Sequence, residues 1–177
     1  MDNTTDIAWA VIRAQAGDRE ALEQVLVSGR SIAAGVVRRV ALDEADDVLQ
    51  HVLWIVARKL RYLDKPAAFR AWVYRIAARE AERHAARERR RWWTRSVDDL
   101  DSLEAAEPAP TPALVETIPD LLAAVTPRSR SVLVLHYLEE QPLDQVARIL
   151  DLPLGTVKSR LAYGLRAMRR AYAEKTT

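Results

Sequence analysis

The stretch LPLGTVKSRLAYGLRAMRR, residues 152–170, carries the reading of the whole chain. Placed on a helix at about 100° per residue, Val157, Leu161, Gly164, Leu165 and Met168 fall close to one line. Lys158, Ser159, Ala162, Tyr163, Arg166, Arg169 and Arg170 fall on the opposite side. The first face is core. The second is basic, holds one aromatic, and has a small alanine near its centre. Upstream, Pro142 opens a short helix over residues 143–150, and residues 151–155 turn into the basic helix. Val146 and Ala147 on the first helix, Leu152 in the turn, and Val157 and Leu161 on the second have the spacing of a helix-turn-helix. Ala147 is small where the two helices must approach.

A basic helix face has two readings, a solvated amphipathic helix or a nucleic-acid reader. The turn, the small residue and six bases against one acid over residues 155–177 favour DNA. The helix N-terminus and Thr156 can meet a phosphate. Lys158, Ser159, Tyr163 and Arg166 can face base edges or backbone, and a large side chain at position 162 would hold the helix off the groove.

Composition limits the rest. Nearly half of the 177 residues are hydrophobic (49%), which supports a packed core and argues against global disorder. The chain has no cysteine, which excludes disulfides and thiolate metal sites. Its three histidines, His51, His84 and His136, are not at helical spacing from one another, so no metal centre is expected. The N-terminal segment has early acids and a short apolar run broken at Arg13, unlike a signal peptide, and no run approaches the ~20 apolar residues of a membrane span. These features predict a soluble, cytoplasmic protein without membrane insertion. The net charge of +2 hides an uneven layout. Residues 79–95 carry seven Arg and three Glu, residues 96–120 carry seven acids and no base, and residues 121–177 carry nine bases and five acids. Two basic zones flank an acidic middle.

Few glycines and long 3.6-period stretches predict an all-α protein. Helices are expected over about 4–16, from Asp18, over roughly 30–41, from a cap at Asp43 to about Tyr62, and from Pro66 to about Arg91. Residues 94–116, with Pro108, Pro110 and Pro112 and clustered acids, read as a flexible linker. About 17 of its residues could extend to roughly 60 Å. Helices resume near Asp120, with Thr126-Pro127 starting one that runs to about Glu140. The expected organisation is two small helical domains, 1–93 and 117–177, joined by an acidic, proline-containing linker.

The segment PLDQVARILDLPLGTVKSRLAYGLRAMRR, with AVTPRSRSVLVLHYLEE before it, resembles region 4 of bacterial RNA polymerase sigma factors. Its GTVKSRL wording is similar to that of the extracytoplasmic-function (ECF) group. The N-terminal half offers an independent check. EADDVLQHVLWIV (residues 44–56) and FRAWVYRIAAREAERHAARERRR (residues 69–91) resemble region 2 of the same family, in order and separation. The resemblance covers residues 10–93 and 114–172, nearly the whole chain. It implies a factor that directs polymerase core to promoters, with no catalysis, cofactor or small-molecule substrate of its own.

Residue by residue, the resemblance implies three surfaces. Thr156, Lys158, Ser159, Arg160, Tyr163 and Arg166 would contact the −35 element. Trp72, Arg75, Arg79, Arg83 and Arg87 would contact the −10 element. Asp47, Gln50, His51 and Trp54 would bind the clamp helices of the largest polymerase subunit, while region 4 meets the polymerase flap. The buried stripe of that third helix is Ala45, Val48, Leu49, Val52, Leu53, Val56 and Leu60, which leaves Arg58 beside the binding face. Without the resemblance Trp54 would be expected to fold into its own core; the resemblance reverses that order. Trp92 and Trp93 either pack back onto the domain or stack on unpaired bases. An anti-sigma factor is an implied partner. The chain departs from the family pattern at His51, where relatives often carry an acid, at Tyr163, where many carry arginine, and at Arg79 and Arg83, where relatives carry an asparagine and an aspartate. The rival reading is a stand-alone helix-turn-helix regulator that binds operator DNA without polymerase.

Overall fold

The computed structural model describes residues 3–42, 44–98 and 118–176, and all regular structure among them is helical. Asp43, expected as a cap, and residues 99–117, which include most of the linker expected over 94–116, lie outside the described residues, while residues 94–98 of that linker are helical. Helix α1 (Asn3–Gln15) ends at Gly17, whose φ of +98° suits only glycine. Asp18 then caps α2 (Arg19–Val40), accepting from the Ala21 N–H at 3.1 Å and from Arg13 Nη2 at 2.6 Å. The Ala21 hydrogen bond, followed by that of Arg13, holds the Asp18 carboxyl below its ordinary range.

Helix α2 corrects the expectation of two helices over this stretch, for it runs unbroken to Val40. Gly29 is no breaker here. It lies where α2 crosses α4, with the Phe69 ring 3.6 Å from where a Cβ would sit. Helix α3 (Ala45–Lys59) buries Val48, Leu49, Val52 and Val56, and Leu60 is buried in the 3₁₀ turn that follows. Ala45 and Leu53 of the expected stripe are only half-buried. The Gln15 amide donates to the Leu60 and Leu63 carbonyls at 2.9 and 3.0 Å, tying α1 to the end of that turn. Pro66 opens a 3₁₀ turn that leads into α4 (Phe69–Asp98), which runs beyond the expected end near Arg91. Its side chains from Arg89 onward, Trp92 and Trp93 included, lie outside the described residues.

In the C-terminal half, α5 (Ile118–Ala123) precedes Thr126 and Pro127, which start α6 (Pro127–Leu133). Instead of running on as α-helix to Glu140, α6 passes into a π turn, Val134–Leu138, closed by the Glu139 N–H on the Val134 carbonyl at 3.0 Å. Helix α7 (Leu143–Leu150) ends on Asp151 in the left-handed conformation, and α8 (Leu154–Thr176) follows after a short turn. Gly164 lets α8 approach α6 closely, because a Cβ there would stand 2.8 Å from Leu133 Cδ1.

Helix α2 is central to the N-terminal half and touches α1, α3 and α4, while α8 supports α5, α6 and α7. The halves also meet directly, with α4 against α6 and α7 and α2 against α6. A single apolar cluster runs from Val11 through Tyr74 to Val157. At the seam lies Arg130, 5% exposed. Its guanidinium donates to the Val40 carbonyl at 2.8 Å, to Val125 at 2.8 Å and to Ala123 at 3.2 Å. Val40 and Ala123 are the last residues of α2 and α5, so one buried cation satisfies carbonyls left open at two helix ends.

Candidate nucleic-acid and polymerase interfaces

On α3 the buried stripe turns the opposite face to solvent. Asp47, Gln50 and His51 are exposed there, and Trp54 is 55% exposed. The His51 and Trp54 rings stack with centroids 5.9 Å apart and planes at 16°, and the Arg58 guanidinium lies 5.1 Å from the Trp54 ring centre. His51 Nε2 is also 3.8 Å from a Glu80 carboxylate oxygen. The two neighbours hold a large aromatic upright in solvent and outside the core, a shape that suits a protein contact.

The sequence-predicted face of α8 is likewise outward. Val157, Gly164 and Ala167 are buried, whereas Lys158, Ser159, Ala162, Tyr163 and Arg166 are exposed. Tyr163 is 49% exposed. Thr156 and Arg160 are half-buried, and the Ser159 hydroxyl donates to the Thr156 carbonyl at 2.9 Å. The helix therefore presents a basic strip with a shallow centre at Ala162, of a shape that a DNA major groove admits.

The α4 residues are not equivalent. Trp72 is half-buried, its ring 6.2 Å from that of Phe69. Arg83 and Arg87 are exposed, and Arg83 pairs with Glu80 at 2.8 Å. Arg75 instead crosses to the other half and donates to the Ile149 and Arg148 carbonyls at 2.9 and 2.6 Å. Arg79, one helical turn on, is 3.7 Å from the Asp151 carboxylate.

Several relevant residues escape sequence reasoning. An apolar groove of about 250 Å³ is formed by Ile118, Leu122, Leu133, Tyr137, Leu138 and other residues of the C-terminal half. Periodicity marks these residues as apolar without separating groove from core. Glu82 lies between the halves, where burial pushes its carboxyl up despite a Ser131 hydrogen bond and the nearby Arg160, Arg128 and Arg79. A carboxyl raised in the folded state stabilises the fold below its unfolded pKa, and that contribution is lost as pH rises through the raised value. Glu82→Gln is therefore expected to raise the Tm by a few degrees at neutral pH and to leave it little changed at the acid end. Melting curves of both proteins across the weakly acidic to neutral range check this. A carboxylate–histidine group also lies outside the reach of histidine spacing. Among the described residues, Glu44, His84 and Glu88 place potential ligand atoms within 4.8 Å of one another, with His84 Nε2 3.8 Å from Glu44.

Comparison with known proteins agrees with this division into halves. The family description Sigma-70 region 2 matches residues 26–91, and Sigma-70 region 4 matches residues 121–170. The chain is 28% identical over 167 residues to the ECF RNA polymerase sigma-E factor of Escherichia coli K12, with 85% of this chain and 86% of that protein aligned. It is 27% identical over 175 residues to the RNA polymerase sigma-H factor of Pseudomonas aeruginosa, covering 91% of each. A probable RNA polymerase sigma factor, RfaY of Xanthomonas campestris, is 30% identical over 160 residues, which is 84% of this chain but only 40% of that longer protein. Two solved structures share the fold. CnrH in complex with the cytosolic domain of CnrY superposes with a TM-score of 0.62 at 20% identity, over 94% of this chain and 97% of that one. RpoE of Bartonella quintana in complex with the anti-sigma factor NepR gives 0.51 at 22% identity, over 86% and 94%. With region 2 in its N-terminal half and a region 4 helix-turn-helix in its C-terminal half, the chain belongs to the ECF group of sigma-70 factors, which direct RNA polymerase to specific promoters to initiate transcription.

Proposed function

We propose that this sigma factor docks on polymerase core through the outer face of α3 and reads its promoter with the outer faces of α4 and α8. Asp47, Gln50, His51 and Trp54 grip the clamp helices, and the apolar groove beside α5 takes the flap. Lys158, Ser159, Tyr163 and Arg166 reach the −35 element, flanked by Thr156 and Arg160. Arg75, Arg79, Arg83 and Arg87 neutralise phosphates at the −10 element, with Trp72 shaping the same face. The family initiates transcription by binding, and no reaction is assigned to the chain itself. No helix among the described residues is long and apolar enough to cross a membrane, and polymerase and promoter as partners place its work in the cytoplasm. The two fold neighbours are held by CnrY and by an anti-sigma factor, NepR, which supports a protein inhibitor here too.

The observation that carries this reading is the solvent-facing Trp54, braced by His51 and Arg58 on a helix whose other face is fully used in the core. A stand-alone operator-binding regulator has no use for such an anchor. The test is transcription in vitro from a mixed promoter library by purified core polymerase, with and without the chain. Initiation from a defined promoter subset is expected only when the chain is present. Unchanged initiation alongside tight binding to free duplex would overturn the assignment.

A further inference from the structure

The second half of α4 carries side chains that neither the polymerase face nor the DNA faces use. His84 and Glu88 stand one helical turn apart, at i and i+4, and so share a face of the helix. Glu44 reaches the same place from another element. It is the residue before α3, held in the left-handed conformation at φ +50°, and its carbonyl accepts from the Val48 N–H at 3.2 Å. Together the three side chains bring an imidazole nitrogen and two carboxylate oxygens within 4.8 Å of one another. No two of them would be paired by reading along the chain, because Glu44 lies forty residues before His84.

The imidazole is the member that points to a ligand. His84 keeps 17% of its side-chain surface exposed, but its Nε2 atom is shut off from solvent and has no hydrogen-bond partner. Buried ring nitrogens are ordinarily paired, and the 3.8 Å between His84 Nε2 and Glu44 is too long for a hydrogen bond. A neutral imidazole offers a lone pair at such a nitrogen, and a metal ion is what takes it. In zinc sites the metal–nitrogen distance is about 2.0–2.1 Å and the metal–oxygen distance about 2.0–2.2 Å, so two atoms on one ion stand up to roughly 4 Å apart. The His84–Glu44 pair falls within that reach, and the exposed Glu44 arm is able to turn inward.

We propose that Glu44, His84 and Glu88 bind a divalent transition-metal ion, with zinc as the best match. One nitrogen and two carboxylate oxygens are a zinc donor set, whereas magnesium and calcium take oxygen alone, and thiolate-seeking metals find no cysteine in this chain. An entry path exists. A cavity of about 440 Å³ opens beside Glu88, lined also by Ala41, Leu42, Ala85 and Arg130. An ion held here ties the start of α3, the helix assigned to polymerase, to the part of α4 that carries Arg83 and Arg87. Those two arginines flank the site in sequence, and Arg83 is held by Glu80 at 2.8 Å. The site itself does not depend on the promoter reading.

The experiment uses the full chain, stripped with a chelator and titrated with zinc chloride alone. Calorimetry should give one zinc per chain, and saturating zinc should raise the Tm by several degrees, because the ion binds only the folded arrangement. Glu44→Gln, at an exposed position that leaves the fold intact, and His84→Ala should each weaken zinc binding by at least about ten-fold and remove most of the Tm shift. Cobalt(II) in place of zinc should show visible d–d absorption that both variants lose. His51→Ala is the control, since His51 makes the other histidine–carboxylate pair, with Glu80. It should bind zinc as wild type does. Absence of stoichiometric zinc uptake overturns the site, and so does uptake that Glu44→Gln and His84→Ala leave unchanged. An equal loss in His51→Ala, or displacement of zinc by millimolar magnesium, overturns it as well.

Discussion

Asp47→Arg combined with Gln50→Ala is expected to abolish binding to polymerase core while leaving the melting temperature within a few degrees of wild type. Both side chains lie on the exposed face of α3, so neither supports the fold. If this face is the contact, the substitution reverses a charge beside Trp54 and removes an amide from it, and central interface residues each contribute about 2–4 kcal/mol. The combined loss should exceed about 100-fold in affinity. Trp54→Ala alone should lose a similar amount, because it removes the ring on which His51 and Arg58 are stacked. Fluorescence anisotropy of the labelled chain against core polymerase measures both effects. A double variant that still activates transcription normally would move the polymerase contact off α3.

The largest loss of stability is expected from Arg130→Met. The substitution keeps an unbranched side chain of similar length but deletes the donors to Val40, Val125 and Ala123. Hydrogen bonds to a charged group contribute about 1.5–3 kcal/mol each, and a buried carbonyl left without a donor costs about 1–3 kcal/mol, though the three are not additive. A net destabilisation on the order of 3–5 kcal/mol follows, seen as a fall of roughly 10 °C in Tm. Arg130→Lys should recover less than half of this, since one ammonium cannot reach three carbonyls on separate elements with the geometry of a planar fork. Differential scanning calorimetry of the three proteins decides it. A melting temperature unchanged in Arg130→Met would mean that the helix ends find other donors.

Both outward faces were legible because helical periodicity is a local property. Once Val157, Leu161 and Gly164 are assigned inward, the positions of Lys158, Tyr163 and Arg166 follow from the 3.6-residue repeat alone. On α3 the repeat sets Trp54 opposite Val48, Val52 and Val56, but it was the family resemblance that put this aromatic outside the core, and the structure exposes it. Gly29 shows where local reasoning misleads. The sequence suggested a new helix from about residue 30, but α2 runs through Gly29, where Phe69, forty residues away, packs against the helix. Tyr74 was unremarkable in sequence for a related reason. Its partner Glu139 reaches it only because α6 widens into a π turn, a change of register that no propensity marks.

By itself, the order of residues determined most of the helices, the greater part of their buried stripes, the helix-turn-helix and the family, since each depends on contacts within a few turns or on a run of matching positions. Only the tertiary structure decided what Arg75, Arg79, Glu82 and Arg130 do. A guanidinium has the same length and charge whether it faces a DNA phosphate or the carbonyl end of a neighbouring helix. Which of these it meets is settled by how two distant halves of the chain pack, and the information for that is spread over the whole seam.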